Sequence, residues 1–172
     1  MQPNENLDEN ETPIFFDLKK IIERDDATLL KEALNSYPQL IDIQNSNQRS
    51  LAHEAAEGGS WGCLSVLRDM GGDINAKDIY AQTPLHRALA RHREEASLWL
   101  IGNGADLNCR DFYGNTAVLF AAEWRSDILE KIIEEGGDPG TVDKMGRGVG
   151  EWAKMGAEKA VKTAQARKIL RS

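Results

Sequence analysis

The sequence is short of the residues that metal sites, disulfide frameworks and membrane spans require. It has two cysteines, three histidines and five prolines among 172 residues. Cys63 and Cys109 form no CxxC pair and have no histidine nearby in the sequence, so neither a zinc site nor a disulfide framework is indicated. We expect two buried, reduced thiols in the cytoplasm, with no metal and no cofactor. No apolar run approaches the roughly 20 residues that a membrane span needs.

Motifs of catalysis are absent as well. The sequence contains no HExxH, no P-loop and no GxGxxG fingerprint, and it offers no pattern for a nucleophilic triad. The glycine-rich segment "GRGVG", residues 146–150, lacks the lysine of a phosphate loop. We therefore expect no enzymatic activity. The first residues, "MQPNENLDENETP", have neither the basic start nor the apolar stretch of a secretory signal, and residues 1–13 are predicted to be a disordered acidic tail.

What the sequence does contain is an internal period. The segment "TPLHRALA" begins at Thr83, and related segments begin 33 positions earlier at Ser50 ("SLAHEAA") and 33 positions later at Thr116 ("TAVLFAA"). A second motif repeats beside it: "GGDINAKD" from Gly71, "GADLNCRD" from Gly104 and "GGDPGTVD" from Gly136. Two motifs that share one period indicate a repeat architecture.

A unit of about 33 residues with a T-P-L-H-x-A motif resembles the ankyrin repeat. The resemblance implies an all-α solenoid of about five helix-turn-helix repeats with projecting turn tips, a fold that binds other proteins. One domain, residues 14–172, would comprise repeats 14–44, 45–77, 78–110, 111–142 and 143–172. Only the third repeat is close to consensus. The last is degenerate, as expected of a repeat that caps the stack.

The two histidines of the repeat motif are predicted to be scaffold. His53 and His86 occupy the same repeat position, one turn into a helix that starts at Ser50 or Thr83, where the imidazole can reach back to the hydroxyl. Pro84 suits the first position of such a helix. Glycines at 71, 104 and 136 are predicted to end the second helices. In the third repeat, the second helix is expected to contribute four core residues: Leu98, Trp99, Leu100 and Ile101.

Binding residues are predicted at the turn tips, because residues after the opening Asp of each turn point away from the core in ankyrin-like proteins. Ile79, Tyr80, Phe112, Tyr113 and Met145 would form an apolar stripe, and tyrosine with nearby arginine is typical of interface hot spots. Trp124 lies near the end of a first helix, and the sequence is compatible both with a role in binding and with local packing. Trp152 and Trp99 are expected to be packed, and Trp61 half-buried. The full candidate set for protein binding is Arg49, Ile79, Tyr80, Gln82, Arg91, Phe112, Tyr113, Asn115, Trp124, Met145 and Arg147.

Charge is unevenly distributed. Residues 1–143 carry a net charge of −13 and residues 144–172 carry +6. An acidic concave face would favour a basic protein partner over nucleic acid or membrane. We expect a chain that is monomeric when free and that acts as an adaptor, a regulator or an inhibitor. The alternatives are an immunity protein that neutralises a basic bacterial toxin, and a nucleic-acid binder that uses the basic C-terminal tail.

Overall fold

The computed structural model of the chain describes residues 13–124 and 126–156. Regular structure in these residues is helical, apart from one isolated antiparallel bridge between Gln44 and Ser50. The predicted all-α architecture is confirmed. The predicted acidic tail lies outside the described residues except for Pro13, which begins the first helix. The chain divides into two compact units, residues 1–105 and 106–172. The predicted domain and repeat boundaries stay predictions.

The first unit consists of three helix pairs. Its helices are α1 (Pro13–Glu23), α2 (Ala27–Ser36), a 3₁₀ helix (Pro38–Asp42), α3 (Leu51–Gly58), α4 (Trp61–Asp69), α5 (Pro84–Ala90) and α6 (Glu94–Gly102). The first helices of the pairs, α1, α3 and α5, pack side by side in a first-helix row, and the second helices, α2, α4 and α6, form another row against it. Small residues such as Ala52, Ala55 and Ala88 let α3 and α5 approach closely, and the leucines between the rows are buried.

Helices α3 and α5 begin as the motif predicts. The Ser50 and Thr83 side chains and the histidines three residues later form reciprocal capping boxes. The Nδ1 atom of His53 lies 3.0 Å from the Ser50 Oγ, and that of His86 lies 2.9 Å from the Thr83 Oγ1. Both imidazoles are buried. The structural role predicted for these histidines is therefore confirmed.

The second helices are followed by glycine in a left-handed conformation. Gly71 and Gly104 both have φ near +90°, and the equivalent Gly136 has φ +99°. A side chain at such a position would strain the backbone, whereas glycine adopts it readily. The predicted role of these three glycines in ending the helices is confirmed.

The second unit contains α7 (Ala117–Trp124), α8 (Ser126–Glu134) and a further helical segment at residues 149–156. Trp152 of that segment is buried against Leu119 and Ala122 of α7. Its ring centroid lies 5.7 Å from that of Phe120, and its Nε1–H donates to the Asp143 Oδ2 at 3.2 Å. The expected packing of Trp152 is confirmed, and the polar end of the indole is satisfied by the turn that precedes it.

One expectation about the core is wrong. The four consecutive residues 98–101 do not all fill the interior: Leu100 and Ile101 are buried, Trp99 is half-buried, and Leu98 is 41% exposed. Four successive helical residues point around almost the whole circumference of a helix, and α6 packs on one side only. Leu98 therefore faces solvent.

Candidate protein-binding surface

Four turns between the helix pairs share one hydrogen-bonded structure. In each, the Oδ1 atom of the opening Asn or Asp accepts from the backbone N–H groups two and four residues later, at 2.8–3.1 Å. The opening residue's own N–H donates to the carbonyl four residues later, at 3.0–3.1 Å. The opening residue thus anchors its turn, and the side chains between these anchor points project from a fixed backbone. The opening residues are Asn45, Asp78, Asp111 and Asp143.

Within each unit, neighbouring turns are also tied to each other. The Ile79 N–H donates to the Asn47 carbonyl at 3.0 Å in the first unit, and the Lys144 N–H donates to the Tyr113 carbonyl at 2.8 Å in the second. These bonds lie at equivalent places in the repeat. They set the tip of one turn directly beside the tip of the next.

The apolar tip residues face solvent. In the second unit Phe112 is 57% exposed, Tyr113 63% and Met145 76%, and in the first unit Tyr80 is 44% exposed. Ile79 is half-buried. Because the Tyr113 and Lys144 backbones are hydrogen-bonded, the side chains of Phe112, Tyr113 and Met145 belong to two adjacent tips. Contiguous exposed apolar side chains of this kind mark surfaces that a partner covers.

Three candidates serve the scaffold instead. Asn115 is only 6% exposed, and its Nδ2 donates to the Asp111 Oδ2 at 3.0 Å, so the expectation that it points to solvent is wrong. The physical reason is that its amide completes the turn opened by Asp111. The Gln82 carbonyl lies 3.0 Å from the His53 Nε2, and Arg147 donates from Nε to the Asp143 Oδ2 at 2.7 Å.

The three tryptophans outside the last helical segment are partly exposed, and two of them bear on binding. Trp124 is half-buried at the end of α7, which leaves its binding role a prediction. Trp61 begins α4 and is 49% exposed, so it faces solvent more than the half-buried position predicted for it.

An arginine cluster that the sequence did not predict surrounds Glu57, near the end of α3. The Glu57 Oε2 accepts from Arg87, and its Oε1 accepts from the Arg91 Nε at 2.8 Å. Its backbone carbonyl accepts from the Arg93 Nε at 2.8 Å, and the Arg49 Nη1 lies 3.5 Å from its Oε2. We call Glu57 with these four arginines the Glu57 cluster. A signal was present in the sequence: Glu57 lies 30 and 34 residues before Arg87 and Arg91, close to the repeat period.

The Glu57 cluster changes the expected charge of the first-helix row. Burial raises the pKa of the Glu57 carboxyl, but the hydrogen bonds and charges of Arg87, Arg91 and Arg49 outweigh burial and hold the pKa below its ordinary value. Glu57 is therefore ionised at neutral pH, against four guanidinium groups. The expectation of an acidic concave face does not hold around Glu57, where four guanidinium groups surround one carboxylate.

The part of the chain that the structure describes contains neither a metal centre nor a membrane-spanning helix. In residues 13–124 and 126–156 no group of three or more His, Cys, Asp or Glu side chains is arranged to hold a metal ion. No helix among these residues combines the length and apolarity needed to cross a membrane. Cys63 and Cys109 are buried thiols, as expected.

Comparison with known families accounts for the repeated helix pairs and turns. The family model for ankyrin repeats, in three copies, matches residues 18–111, more than half of the chain. The chain belongs to the ankyrin-repeat family. The family likeness covers α2 to α6 and both capping boxes, and it ends at the turn that carries Phe112 and Tyr113.

Ankyrin-repeat relatives of several kinds are similar to the chain. It is 32% identical over 122 residues to protein phosphatase 1 regulatory subunit 12A of Mus musculus, covering 69% of the chain and 12% of that protein. It is 38% identical over 63 residues to human NF-kappa-B inhibitor alpha, covering 35% of the chain and 20% of that protein. It is 30% identical over 100 residues to the E3 ubiquitin-protein ligase KEG of Arabidopsis thaliana, covering 58% of the chain and 6% of that protein. The chain thus matches only a small part of each relative.

Proposed function

We propose that this ankyrin-repeat chain is a non-catalytic module that binds a protein partner on its first helices and turn tips, and so acts as an adaptor, regulator or inhibitor. The observation that carries the proposal is the exposure of Phe112, Tyr113 and Met145 on two turns whose backbones are hydrogen-bonded together. Aromatic side chains contribute large contact areas at interfaces, and rigid presentation lowers the entropy cost of binding.

The relatives support a regulatory form of this function. One is described as a phosphatase regulatory subunit and another as an inhibitor, and both align with this chain through their repeats. The docking residues that we propose are the exposed tips together with the half-buried or charged side chains beside the first helices: Arg49, Ile79, Tyr80, Arg91, Phe112, Tyr113, Trp124 and Met145. Asn115, Gln82 and Arg147 are left out because their side-chain polar groups bond to other residues of the chain.

The test compares tip variants with a matched control. Partner proteins are captured from the native host with the wild-type chain and identified by mass spectrometry, and their affinities are then measured. The double variant Tyr80→Ala with Tyr113→Ala should lose about 2 kcal/mol or more of binding free energy per residue, which is typical of aromatic hot spots. Trp61→Ala removes a similarly exposed aromatic residue from the start of α4 and should bind normally.

The outcome that contradicts the proposal is equally concrete. If the double tip variant binds the captured partner as tightly as the wild type, the turn tips are not the interface. If Trp61→Ala weakens binding as much as the tip variant does, the loss reflects general surface hydrophobicity instead of docking at the tips.

Partner charge and location are finer parts of the proposal. A net charge of −7 supports electrostatic attraction of a basic partner, and neutralisation of a basic toxin would be one form of such inhibition. The two buried thiols support a cytoplasmic location. If long-range charge steers the encounter, the association rate should fall steeply as salt rises, and a flat salt profile would remove the steering.

A further inference from the structure

The Glu57 cluster contains more hydrogen-bond donors than the chain itself uses. A guanidinium group has five N–H donors. Arg91 contacts the Glu57 carboxylate through Nε and Nη2, and Arg93 contacts the Glu57 carbonyl through Nε. Among the described residues no partner is found for the Arg91 Nη1 or for either terminal nitrogen of Arg93. The Arg91 side chain is 57% exposed, and Arg93 is exposed too.

The positions of these donors are fixed. Arg87 and Arg91 each donate two N–H groups to Glu57, so the carboxylate holds both guanidinium planes. The Arg93 stem lies against the backbone of Gly59, where an added Cβ would stand 3.2 Å from the Arg93 Cδ. Fixed guanidinium groups lose little entropy when they bind an anion. The cluster is therefore preorganised around one carboxylate and open toward solvent.

The surroundings restrict which anion fits. A shallow cleft beside the cluster is lined by Arg49, Arg91 and Arg93 and also by the carboxylates of Glu23 and Glu54. A phosphate group holds up to two negative charges and is repelled by these carboxylates more strongly than the single charge of one glutamate or aspartate on a flexible side chain. Arg91 already binds a carboxylate within the chain, because its Nε and Nη2 both contact the Glu57 Oε1.

We propose that the Glu57 cluster binds an aspartate or glutamate side chain of an acidic segment in the protein partner, with Arg91 and Arg93 as the donors. The inference rests on the proposed protein-binding function and assigns a chemistry to one part of its surface. The acidic side chain proposed here is opposite in charge to the basic partner that the net charge of the whole chain favours. Local donors decide which side chain docks at this place, because screening weakens the field of distant charges beyond about 10 Å.

The experiment uses the full chain and a defined probe. An acetylated and amidated hexaglutamate peptide is titrated into the ¹⁵N-labelled protein, and the arginine Nε–H resonances are followed by NMR. The resonances of Arg91 and Arg93 should shift and saturate. That of Arg68, an exposed arginine on α4 whose nearest acidic partner is Asp69 at 4.0 Å, should stay in place. Hexalysine, inorganic phosphate and a ten-residue oligothymidine are titrated in parallel and should bind at least about tenfold more weakly.

Variants separate the cluster from general charge. Arg91→Gln and Arg93→Gln should each weaken hexaglutamate binding about tenfold, as expected for a lost charge-assisted bond, and Arg68→Gln should leave it unchanged. Arg91→Gln keeps the Arg93 bond to the Glu57 carbonyl, so it reports on the site even if Arg93→Gln lowers the melting temperature.

Several results would overturn the inference: no saturable shift with hexaglutamate, an equal shift at Arg68, or tighter binding of phosphate, oligothymidine or hexalysine. None of these depends on the turn tips or on a natural partner. The tip variants can therefore fail while the cluster binds acidic peptide, and the reverse outcome is equally distinguishable.

Discussion

The Nε2 atom of His53 lies 3.0 Å from the carbonyl oxygen of Gln82 and so links α3 to the turn that precedes α5. The other ring nitrogen, Nδ1, accepts the Ser50 N–H at 3.2 Å, which requires the proton to be on Nε2. The bond to Gln82 is therefore a donated one. A single neutral imidazole caps its own helix and fastens the next repeat to it.

The first prediction concerns pH. Burial is the main cause of the lowered pKa of His53. The unfolded chain therefore takes up a proton near pH 6.5 that the folded chain does not, so stability should fall as the pH drops below that value, by at most about 1.4 kcal/mol per pH unit for this group. Urea unfolding at pH 7.5 and 5.5 measures the change. His53→Gln should be less stable at pH 7.5 but less sensitive to pH. Equal pH dependence in the two proteins would contradict the assignment.

The second prediction uses a position with a left-handed backbone. Ala81 has φ +57° at the place in its turn where the other two Asp-opened turns have Gly114 and Gly146. Ala81→Gly should remove strain and, after the added flexibility of the unfolded chain, raise the free energy of unfolding by about 0.5 kcal/mol. Thermal and urea unfolding would measure it. A loss of stability would mean that packing of the Ala81 methyl group stabilises the fold by more than the left-handed backbone at Ala81 destabilises it.

The second prediction has a counterpart at Gly114, where glycine is replaced by alanine and Gly146 provides a matched control. A Cβ at Gly114 would stand 3.0 Å from the Lys144 backbone nitrogen, whereas one at Gly146 would meet nothing within 4 Å. Both glycines have positive φ, so Gly114→Ala and Gly146→Ala share the backbone strain, and only the first adds a clash. Gly114→Ala should be the more destabilising by about 1 kcal/mol or more in urea unfolding. Equal losses would mean that the Lys144 turn can shift at no cost.

The third prediction contrasts core and tip. Leu85 is 1% exposed, so Leu85→Ala should lower the free energy of unfolding by about 2–5 kcal/mol. Tyr113→Ala, at an exposed tip, should change it by no more than about 0.5 kcal/mol. Urea unfolding of the two variants checks both values. A large loss in Tyr113→Ala would show that this ring packs on its own turn.

The fourth prediction concerns thiol chemistry. Burial, together with the nearby Asp25 carboxylate, raises the pKa of the Cys63 thiol to about 12. Because the thiolate is the reactive form, Cys63 should react with a disulfide reagent at pH 8 only when the chain unfolds locally or globally. Labelling kinetics of a Cys109→Ser variant, with and without urea, isolates Cys63. Rapid labelling of the folded protein would contradict the buried, protonated state.

The features that the sequence predicted correctly are local ones. The capping roles of His53 and His86 and the opening residues of the turns depend on hydrogen bonds between residues two to four positions apart. Such bonds need only the right side chain at the right spacing. The helical class of the fold follows, because each motif specifies where a helix or turn begins.

The tertiary structure alone decided which side of each element meets solvent and which charges meet each other. Leu98 is apolar, as core residues are, and Asn115 is polar, as turn-tip residues often are. Yet Leu98 is exposed and Asn115 is buried. Arg87 and Arg91 lie about one repeat after Glu57 in the sequence and meet it only because α3 and α5 pack side by side. Their spacing in the sequence only approximates the repeat period. Burial and long-range ion pairing depend on how neighbouring helices stack, and stacking is set by the shapes of all the packed side chains together.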